Sequence, residues 1–223
     1  MILRIFRARA PISERAAVVR FLTTEAAKLA ASVRGLDSFA AGLRQDPDAL
    51  RFVLVSTWRE PTALSDAAGA GWQQTVRPLP PAAETELADH YEVVGEAPRV
   101  LVPPAGSALR ILRAGLRPDV EEVFFERMRE LSRGVGAAGG LVALHLGRRV
   151  VERRDEIVAV SVWRDWQALQ RVAEDDLDRP LFAAEVELFL VDPVSEHFDA
   201  LAVERGVPGD AADDGEAGRR AAV

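Results

Sequence analysis

The chain of 223 residues contains no cysteine. That removes disulfides, thiolate catalysis and zinc–sulfur sites together. It also has no asparagine, a single lysine (Lys28), a single tyrosine (Tyr91) and three histidines. No window approaches 18 uninterrupted apolar residues, so no helical membrane span is expected. Positive charge is not in excess: the formal net charge is −7, against non-specific nucleic-acid binding, which needs clustered basic residues. Met1-Ile2-Leu3-Arg4 opens no apolar leader with a small-residue cleavage site, so a cytoplasmic location is expected. The acid and histidine spacings match no metal site, and the glycines of Gly69-Ala70-Gly71 and Gly134–Gly140 form no phosphate or dinucleotide fingerprint. No metal and no cofactor are expected.

What the chain does contain is itself, twice. Gly35–Leu64 aligns without a gap onto Gly140–Leu169, with 11 of 30 pairs identical. The shared core is Val53-x-Val55-Ser56-x-Trp58-Arg59 against Val158-x-Val160-Ser161-x-Trp163-Arg164, with Gly42 and Gly147 at equal distances before it. Leu3–Ala8 matches Leu109–Ala114, and Asp89-His90-Tyr91-Glu92 matches Glu196-His197-Phe198-Asp199. Three ordered matches with offsets of 105 to 107 positions indicate two copies of one domain.

Each copy reads strand, helix, strand, strand, helix, strand. In the first, Leu3–Ala10 alternates apolar and basic residues as a strand does, and Pro11 breaks it. A helix from Ser13 to about Val33 follows, ended by Gly35. Strands at Leu36–Leu43 and Leu50–Trp58, a helix opening at Pro61–Thr62 and a strand at His90–Val94 complete the unit. The second copy gives Leu109–Leu116, Val120–Arg133, Leu141–Val150, Ile157–Trp163 and a helix from Trp166. For its last strand the repeat favours His197–Leu201 over Val186–Val191. The order β-α-β-β-α-β is the ferredoxin-like unit, an α+β fold whose two helices cover one sheet face. Phe52 and Leu54 line one face of their strand while Val53 and Val55 line the other. A wet second face would forfeit about 1.5–3 kcal/mol per large side chain, so the two antiparallel sheets should pack together as an intramolecular dimeric α+β barrel. The expected boundaries are 1–95 and 108–203 for the repeats, with a Pro-rich connector at 96–107 and a disordered Gly-, Asp- and Ala-rich tail at 204–223. Such a pseudo-dimer needs no second chain, so monomer and homodimer both stay open.

The Gly-Leu pair after helix one, a second glycine seven residues on, and Val-x-Val-x-x-Trp before helix two resemble the antibiotic biosynthesis monooxygenase domain, in two tandem copies from Met1 to about Leu201. The resemblance implies the dimeric α+β barrel. It also implies a small aromatic or apolar ligand, and for one branch a cofactor-independent oxygenation of a phenolic, polyketide-like molecule to a quinone. Trp58 and Trp163 match the strand-three tryptophan that lines the family's substrate pocket. The asparagine four residues before that tryptophan is matched here by Leu54 and Ala159, and the tyrosine six residues after it by Leu64 and Leu169. A non-catalytic binding or interaction module on the same barrel is the alternative. Haem binding through a histidine is a third reading, and neither copy has a histidine on helix two.

Alternation puts Trp58, Ser56, Leu54 and Phe52 on one strand face, and Trp163, Ser161, Ala159 and Ile157 on its counterpart. These are either pocket walls with a hydroxyl handle or aromatic core anchors. His145, mid-strand and opposite in parity to Leu144 and Leu146, is either the catalytic base of a second-half pocket or a buried structural histidine. His90 and His197 each have a carboxylate two residues on (Glu92, Asp199), which could poise a base or simply mark a strand edge. Arg4, Arg7, Arg110 and Arg113 repeat on strand one and either hold an anionic ligand or pair with acids. Trp72 and Trp166 have no counterparts in the repeat.

Overall fold

The computed structural model describes residues 1–25, 28, 33–69, 72–95, 103–150, 155–173, 176–177 and 184–202. The tail and most of the Pro-rich connector lie outside them. In the first half, β1 (Ile2–Ala10) leads through a 3-10 turn into α1 (Arg15–Arg20), which continues as a π-type turn over Phe21–Glu25. Then come β2 (Leu36–Gln45), β3 (Leu50–Trp58), α2 (Pro61–Ala68) and β4 (Glu84–Val93). The second half repeats the order as β5 (Ala108–Leu116), α3 (Glu121–Gly139), β6 (Leu141–Arg149), β7 (Glu156–Trp163), α4 (Trp166–Ala173), a short α5 (Ala184–Glu187) and β8 (Leu190–Leu201).

All strand pairs are antiparallel, and the eight strands close into one barrel in the order β1-β3-β2-β8-β5-β7-β6-β4. The expected α+β architecture is therefore present, and the two sheets do more than face each other. They join edge to edge, through Ala41–Leu43 with Asp199–Leu201 and through Tyr91–Val93 with Gly147–Arg149. The last strand is longer than the repeat alone suggested. His197–Leu201 belongs to it, but Leu190 and Val191 also pair with Leu116 and Gly115, past an irregularity after Arg113.

Two glycine pairs explain why the motif repeats. Gly35 and Gly140 sit at φ +86° and +83°, where side chains are strained, and a Cβ on either would lie within 2.7 Å of the Cβ of Ala63 or Ala168 on the next helix. Their carbonyls accept the backbone N–H of Arg59 and Arg164, which ties the start of the following strand to the residue after each tryptophan. Gly42 and Gly147 stand at the two seams, where an added Cβ would meet the Cβ of Phe198 and of Tyr91 at 2.7 Å.

Alternation then sorts the strands into two layers. Leu3, Ile5, Val53, Val55, Tyr91, Leu109, Ile111, Val158, Val160 and Phe198 fill the barrel interior. The opposite faces pack under the helices. Phe6, Phe52, Phe39 and Leu22 do so in the first half, and Leu112, Phe124, Ile157 and Leu190 in the second. Each tryptophan heads a small separate cluster: Trp58 with Ile2, Leu64 and Ala68, and Trp163 with Ala108, Ala168 and Leu169.

Candidate functional site

The antiparallel register lines up one polar row across the helix-facing side of each half. In the first it is Phe39, Ser56, Arg4 and His90; in the second it is Leu144, Ser161, Arg110 and His197. All four arginine and serine side chains are buried, as is His90. The indole Nε1–H of Trp58 donates to Ser56 Oγ at 2.9 Å, and Trp163 donates to Ser161 Oγ at the same distance. Trp58 thus meets Ser56 in one half and Trp163 meets Ser161 in the other, as parity predicts, but each hydroxyl already serves its tryptophan.

Beyond that shared frame the halves diverge. Arg4 donates to two backbone carbonyls, Trp72 O at 3.3 Å and Gln74 O at 2.7 Å, and its guanidinium lies 5.1 Å from the centre of the Phe6 ring. Burial holds its pKa down, at about 10. Arg110 instead donates to Ser195 Oγ at 2.8 Å and to His197 Nε2 at 3.2 Å. The position equivalent to Ser195 is Ala88, so the first half lacks that hydroxyl.

His90 is pushed down to about 4 by burial and, second, by the charge of Arg4, so it is neutral at physiological pH. Its ring hydrogen-bonds the Trp72 backbone, while Nε2 is buried with no partner among the described residues. Trp72 and Trp166 are unrelated in sequence position, yet each sets its indole against the terminal-strand histidine. Trp72 lies edge-on to His90 at 5.3 Å, and Trp166 is tilted against His197 at 6.3 Å. Trp72 Nε1 is held by Ser65 Oγ at 2.6 Å and Trp166 Nε1 by Asp199 at 2.8 Å. Sequence reasoning could not see this, because one indole comes from an irregular loop and the other from a helix start.

The first-half row opens into a cleft of about 20 Å³ lined by Arg4, Phe6, Phe21, Phe39, Ser56 and Trp58. Its outer wall is the irregular segment Thr75–Leu79. Val76 and Arg77 of that wall also line a larger open groove of about 650 Å³, beside Gly35, Arg59 and Ala63.

His145 needs a correction. It pairs in register with Val160, whose side chain belongs to the barrel interior, whereas Leu144 and Leu146 pack under the helices. It therefore faces the barrel interior, away from the helix-facing row of Ser161 and Arg110, and cannot serve as the base of a pocket on that side. Burial pushes it down to about 4, against the opposing charge of Asp37, and its Nδ1 has no partner among the described residues. The interior also takes Arg7 and Arg113, which read as possible ligand holders. Arg7 donates to Asp89 at 2.7 Å and doubly to Glu196, at 2.7 and 2.9 Å. Arg113 stands 3.9 Å from the same two carboxylates. Arg149 completes the cluster on Asp89, Glu156 and Tyr91, and Tyr91 donates to Glu156 at 2.8 Å. The signal for this network was present in the repeat: an acid beside each terminal-strand histidine, at the parity that faces strand-one Arg7 and Arg113. Among the described residues no group of three or more acids and histidines could hold a metal ion.

No protein-family model matches the sequence, and no curated protein is similar to it. Solved structures do match. A provisionally named monooxygenase of Fusobacterium nucleatum superposes with a TM-score of 0.68 over 91% of this chain and 93% of its own, at 10% identity. A second, from Lactobacillus acidophilus, gives 0.62 over 91% and 97%, also at 10% identity. An anthrone oxidase-like protein gives 0.55 over 93% and 96%, at 14% identity. The chain shares the fold of these three proteins. These neighbours match at nearly full length on both sides, so the barrel is shared whole. At such identities the likeness is one of fold, and the chemistry has to be argued from the cleft itself.

Proposed function

We propose that the helix-facing cleft of the first half binds a planar aromatic small molecule, and that the chain oxygenates it as a cofactor-independent monooxygenase. The observation that carries this reading is His90. A neutral imidazole whose buried Nε2 has no partner among the described residues stands beside Arg4 in the strand row, and Arg4 and Ser56 of that row line the cleft with Trp58 and Phe39. Such a group can take the proton of a phenol or an activated CH₂ in a site that excludes water. Removing that proton leaves an electron-rich anion that reacts with O₂. For an anthrone-type substrate, one oxygen atom becomes the new quinone carbonyl and the other leaves as water. The fold shared with monooxygenase-named proteins and with an anthrone oxidase-like protein supports the reaction class.

Aerobic incubation of the purified protein with anthrone- and naphthacenone-type phenols tests it. Oxygen uptake with quinone formation, lost in His90→Gln, is the expected result, and no turnover across the panel counts against the enzyme. A second reading, a binding module without turnover, is favoured by the small closed cleft and by hydroxyls already engaged by Trp58 and Trp163. It predicts tight binding of an apolar dye with unchanged oxygen uptake.

A further inference from the structure

We propose that Arg4 is the anchor for a negatively charged group, so that the first-half cleft selects aromatic anions, arene carboxylates or phenolates, over neutral aromatics of the same shape. This rests on the cleft being a binding site, as above, but not on turnover. Arg4 is only 3% exposed, and a guanidinium withdrawn from water ordinarily has a carboxylate beside it. None of the described residues supplies one. Two of its five N–H groups reach backbone carbonyls, and burial acts on it without an offsetting anion. The cation also lines the cleft, over Phe6 and on the strand row that carries Ser56, so its charge acts where a ligand would sit.

The second half is an internal control built on the same frame. There Arg110 is engaged by Ser195 and His197, at 2.8 and 3.2 Å. In the first half Ala88 replaces the serine, and the counterpart histidine, His90, turns its bond to the Trp72 backbone. Among the described residues Arg110 is thus held by side chains and Arg4 by backbone carbonyls, with Ala88 in place of Ser195 as the difference in residue type. An arene carboxylate entering the cleft would give Arg4 the charge-assisted bonds it lacks, with the ring against Phe39 and Trp58. The route is the wall of Thr75–Leu79: Val76 and Arg77 divide the 20 Å³ cleft from the 650 Å³ groove, and their displacement joins the two.

Calorimetric titration with naphthalene-2-carboxylate and with the neutral naphthalene-2-carboxamide at pH 7.5 decides it. The wild-type chain should bind the carboxylate at least tenfold more tightly, at one site per chain. Arg4→Met should bring the two affinities within twofold. Ala88→Ser, which installs the second half's hydroxyl beside Arg4, should weaken the carboxylate at least threefold and leave the amide unchanged in the folded variant. Equal affinities in the wild-type chain overturn the proposal, as does a carboxylate preference that survives in folded Arg4→Met or is untouched in Ala88→Ser. A preserved preference without oxygen uptake removes the oxygenase reading and leaves the anion site standing.

Discussion

Arg7 of the first strand holds Glu196 of the last, Nη2 to Oε2 at 2.7 Å, across the whole length of the chain. The contact lies inside the barrel and is only one arm of a cluster centred on the fully buried Asp89. Burial by itself would lower the Arg7 pKa, but the charges of Glu196 and Asp89 outweigh it and raise it. Arg7→Met removes the compensation for both acids, and breaking a buried pair from one side costs about 3–5 kcal/mol. Urea unfolding should show a loss of that order, and a loss below about 1 kcal/mol would mean that Arg113 and Arg149 suffice for the two carboxylates.

The tryptophan–serine bonds predict non-additive mutations. Ser56→Ala leaves the Trp58 Nε1–H buried without an acceptor, a cost of about 1–3 kcal/mol. Once Trp58 is phenylalanine the serine has no such donor to serve, so the double variant should be more stable than the sum of single losses implies. The same cycle on Trp163 and Ser161 should return a coupling of the same sign. Additive losses in both halves would show that the hydroxyls are not acting through the indoles.

His145 makes the fold sensitive to acid. In the unfolded chain its pKa is about 6.5, and in the barrel it is pushed down to about 4. Below pH 6.5 the unfolded state gains a proton that the folded state does not. Stability is therefore complete above that pH, falls as pH drops towards 4 and levels off below. The contribution from this one group is about 2 kcal/mol by pH 5. His145→Ala, which copies Ala40 at the equivalent first-half position, should flatten the decline between pH 7 and pH 5 by up to that amount. Denaturant titrations of both proteins at the two pH values measure it, and parallel declines would refute it.

Gly42→Ala and Gly147→Ala should each act on a seam. The added methyl would meet the Cβ of Phe198 or Tyr91 at 2.7 Å, and neither neighbour is a flexible side-chain end. Overpacking of this kind costs about 1–3 kcal/mol. Hydrogen exchange should report weakened protection at Ala41–Leu43 in one variant and at Tyr91–Val93 in the other, while the β1–β3 and β5–β7 pairs keep theirs. Loss spread evenly over all eight strands would argue that the seams are not separable units.

Much of this architecture was legible in the residues. The repeat gave the element order, the apolar character of both strand faces required a second layer, and the period of two put Ser56 with Trp58 and Ser161 with Trp163. Alternation says which residues share a face but not which face looks where, and that is why His145 was placed towards a cleft when it lies in the barrel. A bulge between Leu141 and Ala143 adds to the difficulty, because counting parity through it gives the wrong side. Arg4 and Arg7 looked alike on one strand, although one sits under the helices and the other meets Asp89. The repeat pointed to the acids at 89 and 196 that meet Arg7, but nothing in a single sequence pointed to the backbone carbonyls of Trp72 and Gln74 that meet Arg4.

The closure of the barrel has a consequence for how the chain is made. In the first half β4 and β2 are the outer strands, and their neighbours β6 and β8 lie far downstream, β8 ending at Leu201. During synthesis, β2 has been complete for some 150 residues before its mate leaves the ribosome. The β2 edge stays bare throughout that interval and the β4 edge until β6 is made, and with the Leu3–Ile5–Val53–Val55 surface they invite pairing with another nascent copy. Slow translation of the second half should therefore raise aggregation or strand exchange between chains.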